Sequence, residues 1–162
     1  MKAELHIVGI FFCVFASAFF SGTETGLLSL NHARLMHLVR VGVKSAQILH
    51  EYLGDLQRCL ATLLVGNNLV NVMLSTLSAS LARTCFPDRS GLQAVWATGV
   101  AFLMLCFCEY LPKLFFTTRP LRRTLLVSRP LYVVDRLLAP LTTAILFLTR
   151  WLKGLNPLYW YF

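Results

Sequence analysis

Three pairs of polar residues interrupt long apolar runs, and each pair is spaced by four. Glu109 and Lys113 fall in the run Leu92 to Phe116, Asn67 and Asn71 in Cys59 to Ala82, and Ser17 and Ser21 close the run Leu5 to Phe20. His6, His32, His37 and His50 lie outside these depths. A spacing of four puts each pair on one helical face. An ionised side chain at the middle of a membrane helix costs about 2.5 to 3.5 kcal/mol, so Glu109 and Lys113 need a reason. Lys113 can snorkel to the surface, or an internal Glu109–Lys113 salt bridge can neutralise both. Neither explains Glu109 well, because it sits about two turns in from the end of its run.

Depth supplies the chemistry. At about 1.5 Å per residue, Asn67 is about 12 Å in from Cys59 and Glu109 about 10 Å in from Phe116; Ser21 is about 13 Å in if its helix runs to Leu30. Three helices therefore offer oxygens at one level. Gly22, Gly66 and Pro112 stand beside the three clusters. They are expected to interrupt the helices and free carbonyl oxygens, which is tolerated at membrane depth where backbone lines an ion site. Oxygen ligation with one carboxylate suits a hard cation, Mg²⁺ or Na⁺, rather than zinc or copper, which favour His and Cys. The competing reading is that serines and asparagines simply bind helices to one another.

The elements that must position these residues follow from composition. Of 162 residues, 57% are hydrophobic and 14% charged, with a mean hydropathy of +0.66. That balance belongs to a membrane protein. The expectation is a single all-α membrane domain over 1–162: three transmembrane helices at about 5–30, 59–82 and 92–116, and cytoplasmic interfacial helices at about 31–57 and 119–155. A cleaved signal peptide is the alternative for the first run, with Lys2 before it and Ala16, Ser17 and Ala18 near its end. Glu4 weakens that reading, and more leucine follows, so a retained span is expected.

Basic residues cluster after the first run (Arg34, Arg40, Lys44, Arg58) and from Lys113 onward (Arg119, Arg122, Arg123, Arg129), while the loop between the second and third runs holds only Arg83 and Arg89 with Asp88. The rule that positive loops stay inside then puts the N-terminus outside and the C-terminus in the cytoplasm of a cell membrane, expected to be the inner one. Between the first two spans, Leu35, Leu38, Leu49 and Leu53 alternate with charges at helical spacing, divided by Gly42 into two short interfacial helices. The stretch Leu131 to Leu152 carries Asp135, Arg136 and Pro140, and reads as an interfacial or re-entrant helix pair broken at Pro140. The net charge of +8 flanks apolar runs instead of forming a stripe among aromatics, which argues against nucleic acid. Cys13, Cys59, Cys85, Cys106 and Cys108 show no paired spacing and read as apolar fillers.

The strings Ser17-Ala-Phe-Phe-Ser21-Gly-Thr-Glu-Thr-Gly26, Leu64-Val-Gly-Asn67-Asn-Leu-Val-Asn71 and Glu109-Tyr-Leu-Pro112-Lys113 resemble, in order and spacing, the three signature motifs of the transmembrane domain of the CorC/CNNM magnesium transporters. The resemblance covers about residues 5 to 155. It implies a homodimer of three-span protomers with a cytoplasmic collar, exporting Mg²⁺ against Na⁺ entry. It also implies metal ligands at Ser21, Asn67, Asn71 and Glu109, with Ser17 beside them. Thr23 and Gly26 replace the family's more usual Ser and Ala. The nucleotide-binding CBS domains of family members do not follow Leu155 within these residues, so the expectation is an excised piece, or a short form whose regulation is missing or supplied by another chain, and nucleotide control is not assumed. No nucleophile, base and acid stand together, so no enzyme is expected. The rival of another class is a non-transporting membrane scaffold or assembly subunit; a weaker one is a carrier titrating Glu109 with protons or moving Na⁺ alone.

Overall fold

The structure, a computed structural model, describes residues 2–154, with side chains from 4 to 147. The described residues are helical almost throughout: α1 (Lys2–Leu28), α2 (His32–Arg40), α3 (Lys44–Gly54), α4 (Leu56–Cys85), α5 (Ser90–Met104), a π-helical turn (Leu105–Tyr110), α6 (Leu111–Thr118) and α7 (Pro120–Gly154). The fold is an all-α membrane protein. Local chemistry sets the short helices. Asn31 caps α2 by accepting from the Arg34 N–H at 3.1 Å, and Asp55 caps α4 by accepting from the Arg58 N–H at 3.2 Å. Gly42, at φ +85°, ends α2 in a left-handed turn. There the Val43 N–H reaches the Leu38 carbonyl and the Gly42 N–H that of Val39, the pattern that satisfies a helix's last carbonyls. The expected division at Gly42 is therefore present.

α1 and α4 run antiparallel in close contact. His6 hydrogen-bonds Ser80, Gly9 faces Leu77, Ser17 meets Asn67 and Asn71, and Phe20 lies on Gly66. The third span, α5 through α6, folds back along the pair and presses Phe116 onto Gly22 and Gly26. These glycines act differently from the expectation. α1 and α4 pass through Gly22 and Gly66 without a break. The missing side chains are seats for aromatic rings, since a Cβ at Gly22 would lie 2.5 Å from the Phe116 ring and one at Gly66 under 3.0 Å from Phe20. Only the third helix is interrupted, at the π turn before Pro112.

α7 also differs from the expectation of a pair broken at Pro140: it is one helix carrying both Pro130 and Pro140. Among the described residues four segments are long and apolar enough to cross a membrane, Glu4–Leu28, Leu56–Cys85, Ser90–Thr118 and Pro120–Phe147, one more than the three expected. Yet α7 does not run alongside the others. Thr124 lies against Gly26, while Asp135 and Thr142 both meet Thr62. By the antiparallel pairing of α1 with α4, Gly26 and Thr62 are within about 6 Å of the same depth, whereas Thr124 and Thr142 are about 27 Å apart along their helix. α7 thus runs across the ends of α1 and α4 instead of lying lengthwise beside either.

The buried apolar residues form two layers. One joins Phe20, Leu27, Leu35, Ala46, Leu49, Cys59, Leu63 and Leu131 at the end that holds α2 and α3. The other joins Cys13, Leu74 and Cys108 toward the opposite end. The polar residues lie between.

The aromatic seats predict a sign. Alanine normally improves a helix over glycine by about 0.5 to 1 kcal/mol, but overpacking a filled site costs about 1 to 3 kcal/mol. Gly66→Ala should therefore lower the thermal midpoint of the detergent-solubilised protein, while Gly91→Ala, where a Cβ meets nothing within 4 Å, should hold or raise it. Equal midpoints for the two variants would remove the seat from the account.

Candidate functional site: a polar layer between three helices

Ser17 is at the centre. Its hydroxyl, fully buried, lies 2.9 Å from the Asn67 Oδ1 and 2.8 Å from the Asn71 Oδ1. A serine hydroxyl has one proton to give, so it can satisfy only one of the two amide oxygens at a time. Turning the Asn67 amide lets its Nδ2 donate to Ser17 while Ser17 donates to Asn71, so the three side chains can form one continuous hydrogen-bonded chain. The Asn71 amide donates to the Glu109 Oε1 at 3.5 Å, and the buried Ser21 hydroxyl donates to the Glu109 backbone carbonyl, also at 3.5 Å. Both are at the long limit of hydrogen bonding. All five sequence-derived residues, Ser17, Ser21, Asn67, Asn71 and Glu109, are thus brought together.

The π turn explains how Glu109 arrives. Its wider winding shows in the Leu111 N–H reaching the Cys106 carbonyl, five residues back. Such turns insert one surplus residue and recur at functional positions. Pro112 then follows with no N–H to offer, so one carbonyl in the preceding turn loses its helical partner. The Ser21 hydroxyl approaches this loosened stretch.

Glu109 remains half-buried, and Lys113 is exposed. Among the described residues no ion pair joins them, so the internal salt bridge is absent from the described geometry. The contrast with Asp135 is informative. Asp135 has a guanidinium from Arg58 at 3.7 Å and a hydroxyl from Thr62 at 3.1 Å; Thr62 in turn reaches the Thr142 hydroxyl at 3.2 Å. One carboxylate is matched by a fixed cation, while the other meets only neutral donors. Among the described residues no three His, Cys, Asp or Glu side chains gather as a metal site. A cation here would be held by hydroxyl, amide and carbonyl oxygen with one carboxylate, a hard-ion set.

Residues 8–157 match the family described as the cyclin M transmembrane N-terminal domain. The chain belongs to this family. Among curated relatives, it is 36% identical over 126 residues to the UPF0053 inner membrane protein YfjD of Escherichia coli K12, covering 77% of this chain and 27% of that protein. It is 39% identical over 102 residues to a UPF0053 protein of Haemophilus influenzae, covering 62% and 24%. Against the UPF0053 protein MG146 of Mycoplasma genitalium it is 28% identical over 158 residues, covering 94% and 36%. The matches span between about a quarter and a third of the relatives' lengths. This cyclin M domain is therefore an integral membrane protein, and the polar layer is built from the three motifs that carry the resemblance.

Sequence reasoning missed two features of this cyclin M domain. The Arg58–Asp135–Thr62–Thr142 cluster ties α4 to α7; Asp135 stood out as a charge in an apolar run, but nothing in the sequence named its partner. The Thr23 and Thr124 hydroxyls are fully buried with no hydrogen-bond partner, and an ordinary threonine in a helix gives no sign of this.

Around Asp135 a cavity of about 230 Å³ is lined by Tyr52, Arg58 and Tyr132 among others. Burial first, then the Asp135 carboxylate, push the Tyr52 phenol up to about 12, with Arg58 opposing. A raised folded value means that Tyr52 supports the fold while neutral. Its contribution should be present below about pH 10 and lost as pH rises through 12. Thermal midpoints measured from pH 9 to 12 should fall less steeply for Tyr52→Phe than for the parent; parallel curves would show that Tyr52 is not coupled to folding.

Proposed function

We propose that this domain moves Mg²⁺ across the inner membrane, exporting it in exchange for Na⁺, with Ser17, Ser21, Asn67, Asn71 and Glu109 as the ion's ligands. The observation that carries the reading is the half-buried Glu109 carboxylate beside the Ser17, Asn67 and Asn71 side chains, with no fixed cation paired to it among the described residues. A divalent ion would supply the missing charge, and the amide, hydroxyl and loosened carbonyl oxygens would replace part of its water shell. Glu109 offsets charge, Asn67 and Asn71 orient, and Ser17 and Ser21 bridge α1 to the other two spans.

In this reading the domain is a homodimer. Its N-terminus faces outside, and α2, α3 and α7 lie at the cytoplasmic surface as a collar around the ends of α1 and α4. The crosswise course of α7 supports that placement, as does Asp135, whose charge is matched at the level where α4 begins. The name of the Escherichia coli relative supports the inner membrane.

One observation favours a second reading, a scaffold without transport. The Ser17 contacts to Asn67 and Asn71 are interhelical hydrogen bonds of the kind that hold membrane bundles together. The two readings separate on Glu109, which a scaffold does not need charged. In proteoliposomes loaded with a Mg²⁺ indicator, Glu109→Gln should cut Mg²⁺ flux by about tenfold or more, because one ligand charge is lost, while the dimer survives size-exclusion chromatography. Replacing Na⁺ by choline should stop flux in the parent. Undiminished flux in Glu109→Gln would sink the site, and flux indifferent to choline would sink the coupling.

A further inference from the structure

A cavity of about 430 Å³ opens between α4 and α5, on the side of the polar layer away from α2 and α3. Arg83, Gln93, Ser78, Ser75 and Met104 are among its lining residues; along α4, Arg83 lies toward the α4–α5 turn and the exposed Ser75 toward the polar layer. The sequence of depths along α4 is continuous with the site: the Ser75 hydroxyl donates to the Asn71 carbonyl at 3.0 Å, one turn from the Asn71 amide. Between cavity and site stands the second apolar layer. Cys13, Leu74 and Cys108 are 2%, 1% and 1% exposed, and Met104 packs against them. One turn of helix, about 5.4 Å, is all that separates the two.

We propose that this cavity is the outer vestibule of the cation path, and that the layer of Cys13, Leu74, Cys108 and Met104 is the barrier that closes it from the Ser17–Asn67–Asn71–Glu109 oxygens. The assignment rests on the transport reading above. A hydrated cation cannot enter such a layer because it offers no side-chain oxygen, so α4 and the third span must part by about a side chain's width. The π turn can do this: it carries Cys108 of the barrier and Glu109 of the site in adjacent positions, so a shift of its surplus residue moves both at once. Arg83 adds a fixed positive charge toward the α4–α5 turn, which lowers the local cation concentration and makes the vestibule's occupancy sensitive to salt.

The barrier is tested by thiol chemistry, which is independent of flux. In right-side-out membrane vesicles, Ser75→Cys on a background with the five native cysteines replaced by serine should react with charged methanethiosulfonates added on the Arg83 side. A wall facing lipid would leave it silent to charged reagents yet reactive to a membrane-soluble maleimide, and that result would overturn the vestibule. With Cys108 as the sole cysteine, reaction should be slow in the parent. It should accelerate about tenfold or more in Leu74→Ala with Met104→Ala, from the Arg83 side only, because exposure controls thiol reactivity. An unchanged rate, or equal rates from both faces, would overturn the barrier. Should that double variant not fold, Arg83→Glu, at an exposed position, gives a second measure. The ratio of cationic to anionic reagent rates at Ser75→Cys should rise about tenfold, and a constant ratio would again overturn the vestibule. Labelling reads no flux, so failure of the ion site, seen as undiminished flux in Glu109→Gln, and failure of the vestibule, seen as silent labelling of Ser75→Cys, are read separately.

Discussion

A polar group inside hydrocarbon has no water to turn to, and in this protein the remedy is proximity obtained from missing side chains. Phe20 resting on Gly66, and Phe116 resting on Gly22 and Gly26, let three helices approach closely enough for hydroxyls one atom beyond Cβ to meet amides on another helix. Ser17 reaches Asn67 and Asn71 because the antiparallel pair around it is drawn in by these seats. Longer side chains at the glycines would hold the helices apart and leave each polar group stranded. The polar layer is thus a consequence of packing in the apolar layers that flank it.

Two carboxylates in apolar surroundings show two answers to the same electrostatic problem. Asp135 is matched by Arg58 and by the Thr62 hydroxyl, and it anchors α7 across α4. Glu109 has the Asn71 amide at the edge of bonding distance and no cation. Leaving a charge uncompensated at mid-helix costs about 2.5 to 3.5 kcal/mol, and a fold that needed only adhesion would lower its energy with glutamine at this position. In the transport reading, a bound cation would supply the missing charge.

Most of the architecture was legible in the hydropathy, because spans must be apolar and long whatever they pack against. The polar layer was legible too, since depth along a helix is a matter of counting, and Ser17, Ser21, Asn67, Asn71 and Glu109 all fall at one level on that count. What could not be read was the purpose of a glycine. Gly22 and Gly66 stand beside the polar residues either as breakers or as seats, and the sequence is the same for both; the ring that fills the seat comes from a different helix. Pro140 misled for a related reason. Proline removes one hydrogen bond from a helix, and a long helix supported along its length by α3 and α4 can absorb that loss and continue. The partners of Asp135 were hidden because Arg58 and Thr62 lie more than seventy residues away in the chain.

The distribution of tight and loose contacts also divides the molecule into a fixed part and a movable one. α1 and α4 are joined from end to end by His6 with Ser80, Gly9 with Leu77, Ser17 with its two asparagines, and Phe20 with Gly66. The third span has Phe116 as its firm attachment to α1 near one end and the Trp96 indole on Ser78 near the other, with the π turn between them. A helix pinned at two ends around a surplus residue can change length or rotate locally without releasing either pin. Among the described residues the carboxylate of the polar layer, Glu109, is on that segment, so a local shift of the π turn moves this carboxylate while the serine and asparagine side chains on α1 and α4 stay in place.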